Sequence, residues 1–350
     1  MTALSQATST VRLPRSPVLL VPALIALLVL SAVVAVTIGS ADLPLGTVVR
    51  AVFARDDVPL LTEHIVWQLR LPRIAGAALV GAGLALSGAV VQTLTRNALA
   101  DPYLLGISGG ASVGAVLVIV LGVGVTSLGG QLAVSLAAFA GAVLALVLVL
   151  ALATGRSGAL PPGRTVLAGV AVGQLAYAVT SFVVLSSGDS DTARRVLRWT
   201  VGSLAGTRWD AVAVAAAVVG VLGAVVLAGS RALDAFAFGD RAASSLGVPV
   251  EVTRWVLYGT VALLTGAMVA LAGSIGFVGL VVPHAVRLVL GPLHRRLLPV
   301  AALVGAVFLL WADTLARTLL GDTEVPIGVL TAFVGVPLFL VLLRRERSRS

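Results

Sequence analysis

Apolar residues fall into ten runs of roughly membrane-spanning length, separated by short polar segments. The runs cover Val18–Gly39, Ile74–Leu94, Leu104–Val125, Gln131–Thr154, Thr165–Leu185, Trp209–Gly229, Trp255–Gly273, Phe277–Gly291, Leu297–Arg317 and Ile327–Leu343. A helix that crosses a bilayer needs about 20 largely apolar residues, so the pattern predicts an all-α polytopic membrane protein of about ten helices. The eighth run is short, which predicts a helix that is tilted, broken or packed away from lipid. The first exceeds the apolar core of about 7–15 residues found in a signal peptide, which predicts a retained helix. The implied organisation is a tail over 1–17, a membrane domain over 18–343 and a second tail over 344–350. The longest polar connection is Ser40–Arg73.

Charge gives this pattern a direction. All 24 Lys+Arg residues are arginine. Threading from an inside N-terminus puts 15 arginines and 5 acids on the cytoplasmic side, against 9 arginines and 10 acids outside, so the net charges are +10 and −1. The positive-inside rule selects this orientation, with both termini cytoplasmic.

Composition agrees. The chain is 59% hydrophobic and 11% charged over 350 residues, more apolar surface than a soluble fold can bury. The pI of about 11.4 reflects arginines flanking membrane helices rather than a nucleic-acid surface. With no cysteine, disulfides and thiolate metal sites are excluded. The 38 glycines sit largely inside apolar runs, where small residues let membrane helices approach closely.

Two stretches 185 residues apart are alike: Leu79–Gly88 and Leu264–Gly273 share six of ten residues, and each is followed by Val-Gly-Ala, at Val113–Ala115 and Val304–Ala306. The threading runs the two in opposite directions. An inverted internal repeat has this property, and such repeats build transport pathways at their interface.

Four segments interrupt the runs with Gly, Pro, Asn and other polar residues. In Gly88–Ala111, Asn97 and Asp101-Pro102 suit a helix stop, a turn and a new start. In Gly273–Arg287, Pro283 removes a backbone donor and is expected to kink or break its helix. Glu324-Val325-Pro326-Ile327-Gly328 opens the last run. Gly239–Gly247 is a short amphipathic stretch on the cytoplasmic side, with Ala242, Ala243 and Leu246 spaced to form a small apolar face.

In this order, these blocks resemble the FecCD-type permeases, the membrane subunits of ABC importers for iron–siderophore complexes, haem and cobalamin. The resemblance runs from about Arg70 to Leu343. It rests on Arg70-Leu71-Pro72-Arg73, Asn97–Gly110, Trp199–Leu204, Gly239–Gly247, Gly276–Arg287, Asp313 with Arg317, and Glu324–Gly328. The sequence departs from the family at Ala98, where a proline usually follows the asparagine. Arg-Leu-Pro-Arg alone carries nothing, since Arg12–Arg15 repeats it in the tail.

The resemblance implies a type II importer permease in the cytoplasmic (inner) membrane, paired with a second copy or a paralogue. It implies two cytoplasmic ATP-binding subunits and an extracytoplasmic substrate-binding protein as partners, with no cofactor and no nucleic acid. Outer arginines at Arg70, Arg73 and Arg317 would dock the binding protein through carboxylate pairs, which are directional when bidentate. Asp313, four residues before Arg317, offers that arginine a partner within its own helix. Gly239, Asp240, Arg241, Ala242, Leu246 and Gly247 would form the coupling helix that seats in an ATP-binding subunit. Small and neutral polar residues, among them Gly88, Gln92, Asn97, Ser108 and Gly109, are expected to wall the pathway. Iron–siderophore is the commonest substrate of the family and is the expectation here, with cobalamin or haem as alternatives.

Absences narrow the classes. A Walker A motif needs a lysine, and the chain has none, so ATP must be hydrolysed on another polypeptide. There is no HExxH, and His64, His284 and His294 form no ligand spacing, so no metal site is expected. Every acid lies in a loop or near a helix end, which counts against a proton-driven carrier with a buried relay.

Overall fold

The computed structural model describes residues 17–39, 43–54, 58–122, 128–155, 158–321 and 323–347. The tail carrying Arg12–Arg15 and the last three residues lie outside them. Among the described residues the chain is almost wholly helical. In order the helices are α1 (Pro17–Thr37), α2 (Leu45–Phe53), α3 (Leu60–His64), α4 (Leu71–Leu94), α5 (Ile107–Val120), α6 (Leu128–Ala153), α7 (Pro162–Ser187), α8 (Ser190–Thr200), α9 (Trp209–Ala228), α10 (Ser230–Phe236), α11 (Asp240–Ser245), α12 (Val250–Ala272), α13 (Val278–Leu290), α14 (His294–Ala316) and α15 (Ile327–Arg347). Each of the ten apolar runs becomes one of α1, α4, α5, α6, α7, α9, α12, α13, α14 and α15. Seven are long and apolar enough to cross a bilayer; α5, α13 and α15 hold shorter apolar stretches.

The Ser40–Arg73 connection is more structured than expected. It contains α2, and α3 continues through a widened π-type turn at Ile65–Arg70 into α4. Val48, Ala51 and Val66 are buried there, so apolar contact pins a segment whose polar residues had suggested a loop.

α4 is the centre of the bundle, with α14, α12, α13 and α9 packed around it. Most residues of α4 are buried, whereas α1 and α7 bury few of theirs and leave apolar faces for lipid or another chain. Glycine permits the central contacts. A Cβ on Gly81 would overlap the backbone carbonyl of Gly305 in α14, and one on Gly88 would overlap that of Gly279 in α13. These backbone-to-backbone approaches replace the hydrophobic drive that lipid removes. α4 and α12 lie antiparallel, Gly83 against Met268, in agreement with the opposed directions of the sequence repeat.

α13 has 13 residues, as short as its apolar run implied. Pro283 does not break it. The bond that Pro283 cannot make leaves the Gly279 carbonyl free, and Gln92 of α4 donates to that oxygen (3.3 Å) and to Leu280 O (2.9 Å). A side chain from the neighbouring helix thus keeps the α13 backbone satisfied in a medium where water cannot.

Candidate functional sites at the two ends of the bundle

The expected docking residues and the expected coupling residues lie at opposite ends. The first end gathers the C-termini of α1, α12 and α14 with the N-termini of α4 and α15. Here Arg73 is clasped by two acids. Its Nε lies 3.0 Å from both oxygens of Asp313, and its Nη1 lies 2.8 Å from Glu324 Oε1. Asp313 is buried, while the Glu324 side chain is 47% exposed. Arg70 donates to Val36 O and Arg317 to Ala35 O, both on the last turn of α1. Carbonyls at a helix C-terminus are natural cation acceptors.

Asp313 therefore pairs with Arg73 on another helix, not with Arg317 four residues on. The reason is reach: Arg317 caps its own helix and turns to the open carbonyls of α1. All three arginines are engaged within the chain, and only the Glu324 side of the Arg73 cluster is open to solvent.

At the same end, three of the sequence blocks converge. Ser203 N–H donates to Ala272 O (2.8 Å), Ile327 N–H to Gly202 O (3.2 Å) and Gly328 N–H to Val201 O (3.0 Å). The Trp199–Leu204, Gly273–Gly276 and Glu324–Gly328 segments are thereby stitched into one backbone junction. Gly273 (φ 70°) and Gly202 (φ 77°) adopt the left-handed turn this demands. Beside the junction is a cavity of about 670 Å³ lined by Thr200, Ser274, Phe277, Ala332, Phe333 and neighbours, with no charged residue. Gly88 and Gln92 are buried against α13, and Asn97 is exposed in a turn where its Oδ1 accepts from Leu99 N (2.9 Å), even without the family's proline at 98. Ser108 Oγ meets Ser274 Oγ at 2.5 Å, and Gly109 packs on Ala176 of α7.

The second end carries α10 and α11. Gly239 (φ 95°) turns the chain between them, and Asp240 opens α11. Of the expected apolar face, Ala243 points inward and is fully buried, whereas Leu246 is 69% and the preceding Phe238 is 80% exposed. A single helical turn can bury only one side, so the outward apolar pair is Phe238 and Leu246. With Arg231, Asp234 and Val248 they line a shallow groove. Arg241 and Gly247 are exposed and Ala242 is half-buried.

Two arrangements here were missed from sequence. Arg254 of α12, among the largest fully buried side chains, donates to Asp240 Oδ1 (2.6 Å) and to Leu160 O (3.2 Å), with its guanidinium 5.4 Å above the Phe236 ring. It anchors α11 to the bundle. His294 is the first residue of α14. Its backbone N–H (2.8 Å) and its Nδ1 (2.7 Å) both meet Asp234 Oδ1, and its Nε2 lies 2.7 Å from Thr93 Oγ1.

A bundle of about ten apolar helices, seven of them long and apolar enough to cross a bilayer among the described residues, is the architecture of a multi-pass membrane protein. The chain belongs to the FecCD transport family, whose model matches residues 27–345. It is 46% identical over 317 residues to the cobalamin import system permease protein BtuC of Halobacterium salinarum, covering 91% of this chain and 83% of that one. It is 37% identical over 324 residues to the iron(3+)-hydroxamate import system permease protein FhuB of Bacillus subtilis, covering 92% and 82%. A solved structure described as an inward-facing conformation of a metal-chelate type ABC transporter superposes with a TM-score of 0.81 at 31% identity, over 93% of this chain and 99% of that one.

Proposed function

We propose that this chain is the permease subunit of an ABC importer that moves a large metal chelate across the cytoplasmic membrane, and that a separate subunit hydrolyses the ATP. The observation that carries this reading is the separation of the two sites. The arginine cluster and neutral cavity occupy one end, and α11, with Phe238 and Leu246 exposed, occupies the other. The first end faces outward and receives the binding protein; the second, with both termini, faces the cytosol and seats two ATP-binding subunits. A second copy or paralogue covers exposed apolar faces, among them that of Phe333 on α15 beside the cavity and that of Phe182 on α7.

In docking, the exposed Glu324 is the partner of Arg73 that an incoming carboxylate can displace, while Arg70 and Arg317 brace α1. A pathway without fixed charges suits a bulky ligand that must leave as readily as it enters.

Cobalamin is the first substrate to test, because the relative named for it is 46% identical. The iron–siderophore expectation has the 37% hydroxamate relative behind it. The test is uptake into proteoliposomes holding the permease, its ATP-binding subunits and its binding protein, with cobalamin and a ferric hydroxamate offered separately. ATP-dependent uptake of one identifies the substrate. Uptake driven by a pH gradient without the other subunits would replace this reading with that of a secondary carrier.

A further inference from the structure

We propose that His294 is a positioning residue for transport: it is the joint through which displacement of α10–α11 passes to the paired helices α4 and α14. This rests on the reading of α11 as the contact with the ATP-binding subunits.

Three separate segments meet at the imidazole. Asp234 lies in α10, which runs into α11 through a turn closed by Gly239 N–H on Phe236 O (3.0 Å). One oxygen of Asp234 takes two bonds from His294: the backbone N–H that α14 cannot satisfy internally at its first turn, and the ring Nδ1. A carboxylate only accepts, so Nδ1 carries a proton; Nε2 meets the Thr93 hydroxyl at the end of α4, whose oxygen also lies 2.9 Å from Ala89 O of the same helix. His294 is 2% exposed. The Asp234 carboxylate is 28% exposed, but water cannot replace a bond broken on the buried His294 side, so movement of Asp234 is passed on through the imidazole.

What receives that movement is stiff. α4 and α14 touch through backbone at Gly81 and Gly305, and the Arg73–Asp313 pair ties them again at the far end. Held at His294, at mid-membrane and at Arg73, the two helices cannot easily slide past each other. A push at α10 therefore reaches the docking end and the junction beside the cavity. Arg254 plays a different part, since it fastens α11 to α12 and does not touch α4 or α14 in this network.

The test uses the complete importer in nanodiscs, with spin labels at Leu319→Cys and Leu197→Cys. Both positions are exposed near the docking end, and the chain has no other cysteine. The inter-label distance is read with and without ATP, beside ATP hydrolysis and co-purification of the ATP-binding subunits. In His294→Ala, those subunits are expected to remain bound and to hydrolyse ATP within about twofold of normal, while the distance no longer responds to ATP, because two buried hydrogen bonds of the joint are gone. Thr93→Val, which removes the α4 arm together with the hydroxyl's bond to Ala89 O and is nearly isosteric, should reduce the response. His294→Gln, whose amide reaches toward Thr93, should restore part of it. A normal ATP response in both His294→Ala and Thr93→Val overturns the proposal. Leu246→Asp separates this from the underlying reading. If that variant keeps its ATP-binding subunits and its ATP response, the coupling assignment of α11 fails, and the joint fails with it. If Leu246→Asp loses them while His294→Ala behaves normally, only the joint is refuted.

Discussion

Replacing Arg254 with methionine should loosen α11 without disturbing the membrane helices. Methionine retains much of the side chain's bulk but loses the bond to Asp240, the bond to Leu160 O and the cation held over Phe236. Cutting a fully buried ion pair costs about 3–5 kcal/mol. Asp240 is 40% exposed and can be rehydrated, which brings the ion-pair part down to about 1 kcal/mol. The lost cation–π contact adds about 0.5 kcal/mol, while the Leu160 bond lies outside α11 and does not bear on its opening. A local cost of about 1–1.5 kcal/mol raises the open population of α11 by roughly 5- to 12-fold, since about 1.4 kcal/mol is tenfold. Amide hydrogen exchange over residues 239–247 should accelerate by that order, with α4 and α14 unchanged. Arg254→Lys, which keeps charge but not the two-pronged donor, should fall between. Unchanged exchange at 239–247 in Arg254→Met would refute the anchoring role.

Gln92→Leu removes the donor that compensates for Pro283 and leaves the Gly279 carbonyl bare, at a cost of about 1–3 kcal/mol. A clear loss of thermal stability in detergent is expected, and an unchanged midpoint would show that the proline needs no such support. Glu324→Gln weakens an exposed competitor for Arg73 worth up to about 1 kcal/mol, so binding-protein affinity should rise by up to about fivefold. A fall in affinity would mean that Glu324 itself contacts the partner. Arg73→Glu is less informative, because it sets a third carboxylate beside Asp313 and Glu324 and would disrupt the bundle end whether or not docking occurs there.

The apolar runs revealed the ten helices because in lipid the backbone can be satisfied only within helices, which forces long uninterrupted stretches. The Gly239–Gly247 turn and the arginine end were legible for a similar reason: glycine and charge stand out where most residues are apolar. What stayed hidden is set by distance along the chain. Arg254 meets an acid 14 residues away, His294 meets Asp234 across 60 residues and Thr93 across 201, and nothing local distinguishes them from anchoring residues at a helix end. Gly88 and Gln92 were assigned to a pathway on residue type. In the bundle both make helix contacts, a glycine where two backbones meet and an amide beside a proline. Ala243 was assigned outward by spacing alone, which cannot say which side of a one-turn helix the bundle will cover.

The central claim is that the Arg73 end and the α11 end face opposite compartments, the first outward and the second to the cytosol. Single cysteines at Leu319 and Leu246, labelled with a membrane-impermeant maleimide in right-side-out and inverted vesicles, test it directly. Labelling of Leu319→Cys only in right-side-out vesicles and of Leu246→Cys only in inverted ones is the predicted result; the reverse pattern, or both sites reacting from one side, contradicts it.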